Sequence, residues 1–585
     1  MVDLRCWLAK LAPPSCPAQA LVGLLKCPEA TSRPTVLADL LRALNTMCNP
    51  NLEGFSGRRT ALEKAGVVAP LVQLLTAHPD LPTASPAVAE QLLWAIVNLS
   101  AGNSENKASF GRAGVVAPLV QLLTAHPDLP TASPAVAERL LWAIRNLSWG
   151  NSENTASFGR AGVVAPLVQL LTAYPDLPTA SPAVAERLLW AIVNLSAGNS
   201  ENKASFGRAG VVAPLVQLLT AHPDLPTASP AVAEQLLWAI VNLSAGNSEN
   251  KASFGRAGVV APLVQLLTAH PDLPTASPAV AESLLGAIVN LSTGNSENTA
   301  SFGRAGVVAP LVQLLTAHPD LPTASPAVAE QLLWAIVNLS AGNSENTASF
   351  GRAGVVAPLV QLLTAHPDLP TASPAVAESL LGAIVNLSTG NSENKASFGR
   401  AGVVAPLVQL LTAHPDLPTA SPAVAEQLLW AIVNLSAGNS ENTASFGRAG
   451  VVAPLVQLLT AHPDLPTASP AVAESLLGAI VNLSTGNSEN KASFGRAGVV
   501  APLVQLLTAH PDLPTASPAV AERLLGAIVN LSWCNSENTA SFGRAGVVAP
   551  LVGLLAAHPA LPADLLRAID DLVRQLQRQD PAHGQ

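Results

Sequence analysis

The chain has 585 residues, a formal charge of −9 and a pI near 5.7, with 49% hydrophobic and 12% charged residues. A mean hydropathy of +0.35 excludes an intrinsically disordered chain, because the apolar content is ample for a core. The acidic balance and the lack of any Lys/Arg run exclude a basic footprint for nucleic acid. The mostly apolar runs, such as Ala113 to Ala125, contain Gln121 and fall short of the ~20 residues a membrane span needs. Met1 to Lys10 carries charges and no apolar stretch of signal-peptide length, so secretion is not expected. Cys6, Cys16, Cys27, Cys48 and Cys534 are odd in number and far apart, which suits a reduced, cytosolic chain rather than a disulfide framework or zinc site.

Self-comparison sets the organisation. Gly-Val-Val-Ala-Pro-Leu-Val begins at Gly66 and recurs every 48 residues to Gly546. Ten near-identical periods span 66–545, flanked by 1–65 and 546–585. From about residue 258 to 497, copies with Ser-Leu-Leu-Gly alternate with copies carrying Gln-Leu-Leu-Trp, a second-order period of 96. Recent duplication of a two-repeat block and deliberate repeat design both account for this.

Each period reads as three helices. In the first copy, Ser85-Pro86 opens the longest, with Ser85 as N-cap and Pro86 in the first turn. It runs to about Ser100, with Val88, Leu92, Ile96 and Leu99 on one stripe. Gly102 breaks the chain, and Asn103 or Ser104 caps a short helix through Phe110 and Arg112 that Gly114 closes. Pro118 starts a further helix, Leu119 to Ala125, apolar nearly all round, as expected of a helix buried between neighbours. His126-Pro127-Asp128-Leu129-Pro130 is expected to be a loop, its prolines blocking helix continuation. Ten of the eleven Phe, from Phe110 to Phe542, share one repeat position, which marks them as core. No single period can bury these faces; stacked neighbours can.

These residues resemble the armadillo repeat family. The matching string is Leu93-Trp94-Ala95-Ile96-Val97-Asn98-Leu99-Ser100, then Asn103-x-x-Asn106-Lys107, then Ala113-Gly114-Val115-Val116-x-Pro118-Leu119-Val120-x-Leu122-Leu123. The connector is similar to plant U-box and β-catenin-like armadillo proteins, and Trp-x-x-x-Asn resembles importin-α, where Trp and Asn line a peptide groove. The resemblance implies an all-α armadillo-type solenoid. The unit here is 48 residues against about 42 in the family, the surplus lying in the Pro-rich loop. Neither a U-box nor a basic importin-β-binding segment is read ahead of the repeats, which weakens ubiquitin-ligase and import-receptor readings. Gln19 to Leu25 and Leu40 to Leu44, with Arg42 at the Trp position, resemble the second and third helices of a diverged N-terminal capping repeat (1–65). Ala563 to Arg578, with Asp564, Arg567, Asp570, Asp571, Arg574 and Arg578, reads as the polar-faced helix of a C-terminal capping repeat (546–585).

The third helix carries the candidate site, because residues at i, i+4 and i+8 share a face. One row is Asn98, Asn146, Asn194, Asn242, Asn290, Asn338, Asn386, Asn434, Asn482 and Asn530. An amide both donates and accepts, which suits a peptide backbone; the alternative is a bond within the repeat surface. A second row is Glu90, Glu138, Glu186, Glu234, Glu282, Glu330, Glu378, Glu426, Glu474 and Glu522, which favours a basic ligand or is a solvated helix face. The third row is Trp94, Trp142, Trp190, Trp238, Trp334 and Trp430, with Gly286, Gly382, Gly478 and Gly526 in the other places. That alternation means large and small pockets or duplicated drift. By the resemblance, these rows line the concave face. At 8–10 Å per stacked helix and ~3.3 Å per extended residue, each repeat would engage two or three ligand residues.

Other signals are weaker. His-Pro-Asp recurs from His78 to His510, with Tyr174 and Ala560 as exceptions at the His and Asp places. It resembles the J-domain signature but lacks its basic helix, and one His per copy makes no metal cluster. Asn-Leu-Ser is a glycosylation sequon in form only, since its Asn lies mid-helix. No copy stands out as a catalytic centre, so no enzyme and no cofactor are expected. The reading is a cytoplasmic protein-interaction scaffold, with the nucleus left open, acting as a monomer. Its partner is an extended protein or peptide segment, a basic one being favoured, with no nucleic acid and no membrane insertion. The alternatives are a structural spacer from repeat expansion, or a substrate adaptor of a ubiquitin ligase or transport complex.

Overall fold

The computed structural model describes residues 15–49, 55–557 and 563–579. Cys6, Ala560 and the Met1–Lys10 segment lie outside the described residues. Among the described residues every regular element is a helix, and the chain is an all-α solenoid built of stacked repeats. It divides into two compact units, Met1–Ala305 and Gly306–Gln585.

In the first copy the long helix is Pro86–Ser100. Pro86 suits the first turn because its missing N–H would have had no partner there. Ser85 occupies the N-cap position, but its side chain makes no capping bond; its backbone carbonyl accepts from Val88 N at 2.9 Å and Ala89 N at 3.1 Å. The stripe Val88, Leu92, Ile96 and Leu99 is buried, and Ala89, Leu93 and Ala95 widen it. Gly102, at φ +60, turns the chain. Asn103 then caps helix Ser104–Arg112, its Oδ1 accepting from Asn106 N at 2.9 Å, a bond that contributes about 1 kcal/mol. Gly114, at φ +81, ends that helix. Val115 N bonds Phe110 O at 3.1 Å and Gly114 N bonds Gly111 O at 3.0 Å, a Schellman closure.

Two expected boundaries differ. The next helix starts at Val116, ahead of Pro118, and runs to Ala125. Pro118 is tolerated inside it because first-turn N–H groups have no intrahelical acceptor. The expected loop after His126 holds one helical turn, Leu129–Ala132. Pro130 begins that turn instead of blocking it, and Leu129 and Pro130 are buried against the repeat. The Pro-rich stretch that lengthens this repeat therefore forms a fourth, short helix. Nor is Val116–Ala125 apolar all round: Ala117, Gln121, Thr124 and Ala125 face solvent.

Within each unit the third helices pack side by side. The first unit stacks Pro34–Met47, Pro86–Ser100, Pro134–Ser148, Pro182–Ser196, Pro230–Ser244 and Pro278–Ser292 in that order. The second stacks Pro326–Ser340, Pro374–Ser388, Pro422–Ser436, Pro470–Ser484 and Pro518–Ser532, followed by Ala563–Gln579. That last helix buries Ile569, Leu572, Val573 and Leu576 and exposes Arg567, Asp571 and Arg574. The side chains of Asp564 and Arg578 lie outside the described residues. All ten repeat phenylalanines, Phe110 to Phe542, are fully buried, each burial contributing roughly 1.5–3 kcal/mol.

Three polar bonds set the distance between repeats. Asn154 Nδ2 donates to Leu147 O in its own repeat and to Lys107 O in the preceding one, both at 2.9 Å. His126 Nε2 lies 2.9 Å from Pro79 O, and His222 Nε2 lies 2.9 Å from Pro175 O. A carbonyl only accepts, so the imidazole is the donor. Tyr174, the exception among the histidines, makes the same bond to Pro127 O with its hydroxyl at 3.0 Å. The histidine of His-Pro-Asp is therefore a staple between repeats. Where the connector carries Lys, as at Lys107, Nζ reaches the next repeat's third-helix end at Trp149 O, 2.6 Å away. Burial draws the Lys107 ammonium below its ordinary pKa. Where it carries Thr, as at Thr155, the hydroxyl bonds Ser148 O at 2.9 Å within its own repeat.

The asparagine also explains a glycine. A Cβ on Gly207 would lie 1.9 Å from Asn250 Oδ1, whose amide is held by Lys203 O and Leu243 O. On Gly382 a Cβ meets only Gln427 Oε1 and Val337 Cγ2, each at 3.7 Å. Gly207→Ala should therefore destabilise the chain by about 2–4 kcal/mol, whereas Gly382→Ala should stabilise it by up to ~1 kcal/mol. Urea unfolding of the full chain, followed by circular dichroism, separates the two. Cys534 stands at φ +54, where the other copies have glycine. Cys534→Gly should raise stability by roughly 1 kcal/mol in the same assay.

Candidate functional site

The three rows lie on the third helices, side by side within each unit. Trp94, Trp142, Trp190, Trp238, Trp334 and Trp430 are all half-buried. The glutamates are half-buried too, except the exposed Glu522. Packing of the third helices thus leaves aromatic and carboxylate groups partly open to solvent along one ridge of each unit.

The carboxylates act on one another. Burial raises the pKa of Glu234, and the charges of Glu186 and Glu282 raise it further. Glu426 is raised in the same way, by burial first and then by Glu378 and Glu474. No Lys or Arg forms an ion pair with Glu234 or Glu426 among the described residues. Each unit therefore holds a line of negative charge that the protein leaves uncompensated near its middle.

The asparagines are partly committed within the chain. Asn146, Asn194 and Asn482 donate across to Val97 O, Arg145 O and Val433 O of the preceding repeat, at 3.4, 3.4 and 3.2 Å. Asn242, Asn290, Asn338 and Asn434 donate to the carbonyl four residues back, at 3.0–3.1 Å. Asn98 donates to Asn45 Oδ1 at 3.1 Å. At Asn98, Asn194, Asn242, Asn290, Asn434 and Asn482 these bonds use one amide hydrogen, which leaves the second for a ligand. Some of the oxygens are engaged as well: Asn146 is buried and its Oδ1 accepts from Arg145 Nη1 at 2.8 Å, and Asn434 Oδ1 accepts from Thr389 Oγ1 at 3.3 Å.

The glycine places are shallow. Gly286, Gly382 and Gly478 are buried. At Gly478, Val433 Cγ2 stands 3.6 Å and Arg523 Nε 3.9 Å from where a Cβ would be. Neighbouring side chains close over the gap left by the missing indole.

A cationic component of the site was not read from the sequence. Arg139 lies 3.9 Å from the Trp94 ring centre and 5.4 Å from that of Trp142. Arg187 lies 4.1 Å from Trp142 and 5.5 Å from Trp190. Trp94 and Trp142 also meet edge to face at 5.1 Å. The stack alternates indole and guanidinium, each desolvated cation–π contact contributing up to about 2 kcal/mol. Glu138 and Glu186 flank it, with Arg139–Glu138 at 3.6 Å and Arg187–Glu186 at 2.9 Å. The available signal was a departure from repetition. Arg139, Arg187 and Arg523 stand where the other complete copies have Gln or Ser, as at Gln91 and Ser283, and Arg145 stands where the others have Val, as at Val97.

No family model matches the chain, and no curated protein matches it. Solved structures do. An engineered protein from a structural-genomics consortium is 24% identical, with a TM-score of 0.64 over 80% of this chain and 99% of its own. A chain from a study of a phosphorylation switch controlling the interaction between cadherin and β-catenin is 16% identical, with a TM-score of 0.64 over 95% of this chain and 100% of its own. These likenesses are of fold, that of an armadillo-like all-α solenoid.

Because Glu234 has a raised pKa in the folded chain, its stabilising contribution is present below the unfolded carboxylate pKa and is lost as pH rises through the folded value. At neutral pH the ionised, partly buried group therefore costs stability. Glu234→Gln should gain on the order of 0.5 kcal/mol at pH 7, and the gain should vanish below about pH 4. Thermal melts of the two proteins across that range check the sign.

Proposed function

We propose that the chain is an armadillo-type interaction scaffold that captures an extended, basic protein segment along the third-helix ridge of each unit. The observation that carries this is the uncompensated carboxylate line around Glu234 and Glu426, set beside half-open indoles. A lysine- or arginine-bearing segment would relieve the repulsion among neighbouring glutamates and cover the Trp faces. The remaining asparagine donors would hold its backbone without reading its sequence. The likeness to a chain studied for the interaction of cadherin with β-catenin supports a protein partner. In this reading residues 1–65 and 546–585 are capping repeats, and the repeats of 66–545 present a ridge in each unit. The protein works as a single cytosolic chain without catalysis, bringing a bound partner to others.

Replacing Glu186, Glu234, Glu282, Glu378, Glu426 and Glu474 with glutamine should weaken binding of a fluorescein-labelled oligolysine peptide at least tenfold, roughly 1.4 kcal/mol. Helical circular dichroism should stay the same. Equal anisotropy titrations for the two proteins would defeat the proposal.

A further inference from the structure

The second complete repeat is unlike the others at its third helix. Arg145 is the only arginine at a position that is valine in every other complete copy. Trp149, four residues on, replaces the Ala or Thr of most copies. The two side chains belong to one cluster. The Arg145 guanidinium lies 3.5 Å from the ring centre of Trp190 and 5.5 Å from that of Trp149. Trp149 is 55% exposed, so it forms an open wall.

The charge on Arg145 is poorly met within the chain. Arg139 and Arg187 have Glu138 and Glu186 beside them. Among the described residues Arg145 has no carboxylate within ion-pair distance. Its Nη1 donates to Asn146 Oδ1, and its Nε, like those of Arg139 and Arg187, is buried without an acceptor among the described residues. Burial first, and then the neighbouring Arg187, push its pKa down to about 10 against the partly opposing charge of Glu186. A cation drawn out of water without an anion costs stability. A residue at which ten near-identical copies differ once, and differ toward that cost, needs a compensating group from elsewhere.

We propose that Arg145, between Trp149 and Trp190, is a carboxylate subsite for an acidic residue of the segment bound on the first unit's ridge. This rests on the ridge being a binding face and adds a charge pattern to its ligand. A Glu or Asp side chain pairs with the guanidinium edge while its methylene groups lie on Trp149. Two repeats further on, the ridge meets the uncompensated Glu234. Stacked helices ~10 Å apart put the two places about 20 Å from each other, or about six extended residues. The preferred segment is therefore bipolar, acidic at one end and basic about six residues away.

The test uses the full chain and two labelled peptides. One has a glutamate block, a Gly/Ser spacer of about six residues and a lysine block. The other has glutamine in place of glutamate. The wild-type chain should bind the first about tenfold more tightly. Arg145→Val, which installs the residue that every other complete copy carries in this fold, should abolish that preference without weakening binding of the glutamine peptide. Equal binding of the two peptides to the wild type, or a preference that survives Arg145→Val, overturns the subsite while leaving the basic-segment reading standing. Failure of both peptides to bind the wild type overturns both.

Discussion

The stack depends on one buried side chain per repeat, the asparagine at the start of each short helix. Asn154 and Asn250 each tie the end of their own repeat's third helix to the preceding repeat's short helix. The amide oxygen fills the space where the preceding repeat's glycine lacks a Cβ. Both ends of the amide are thereby used, and neither helix can slide without leaving a buried polar group unpaired, which costs about 1–3 kcal/mol. Apolar burial of Leu, Val and Phe supplies the greater energy, but it is non-directional. The asparagine supplies the register.

Register is what turns a repeated sequence into a repeated surface. Once neighbouring short helices are pinned, the third helices pack side by side, and a residue at one position of the period faces its counterpart 48 residues away. Glu186, Glu234 and Glu282 then lie close enough to repel. Trp94 and Trp142 meet edge to face. The histidine and lysine bonds reinforce the same spacing from the opposite ends of the repeat. A structural device inside the stack and a chemical property on its surface thus share one cause.

The ridge is not chemically uniform, although its repeats nearly are. In the first unit, guanidinium groups stack between indoles over the second and third complete repeats. They form ion pairs with Glu138 and Glu186. Further along, Glu234 stands without such a partner. Substitutions at a few positions, Arg139, Arg145 and Arg187, divide one face into a cationic-aromatic part and an acidic part. In a nearly invariant array, specificity is carried by the departures.

Local features were legible in the sequence. The period, the long helix behind Pro86, the Asn103 cap, the turns at Gly102 and Gly114 and the buried phenylalanines all follow from residues within a few positions of one another. Helix spacing, capping and glycine conformation are local properties. The short helix at Leu129 was missed because Pro130 reads equally as a breaker and as a first-turn residue. Tertiary structure alone decided what spans repeats. Asn154 finds Lys107 O 47 residues back, Lys107 finds Trp149 O 42 residues on, and Asn146 reaches Val97 O 49 residues back. Arg145 lies on Trp190 rather than in water. A sequence places a side chain on a face of its helix. Which group stands opposite depends on how far apart, and in what register, the stacked helices come to rest.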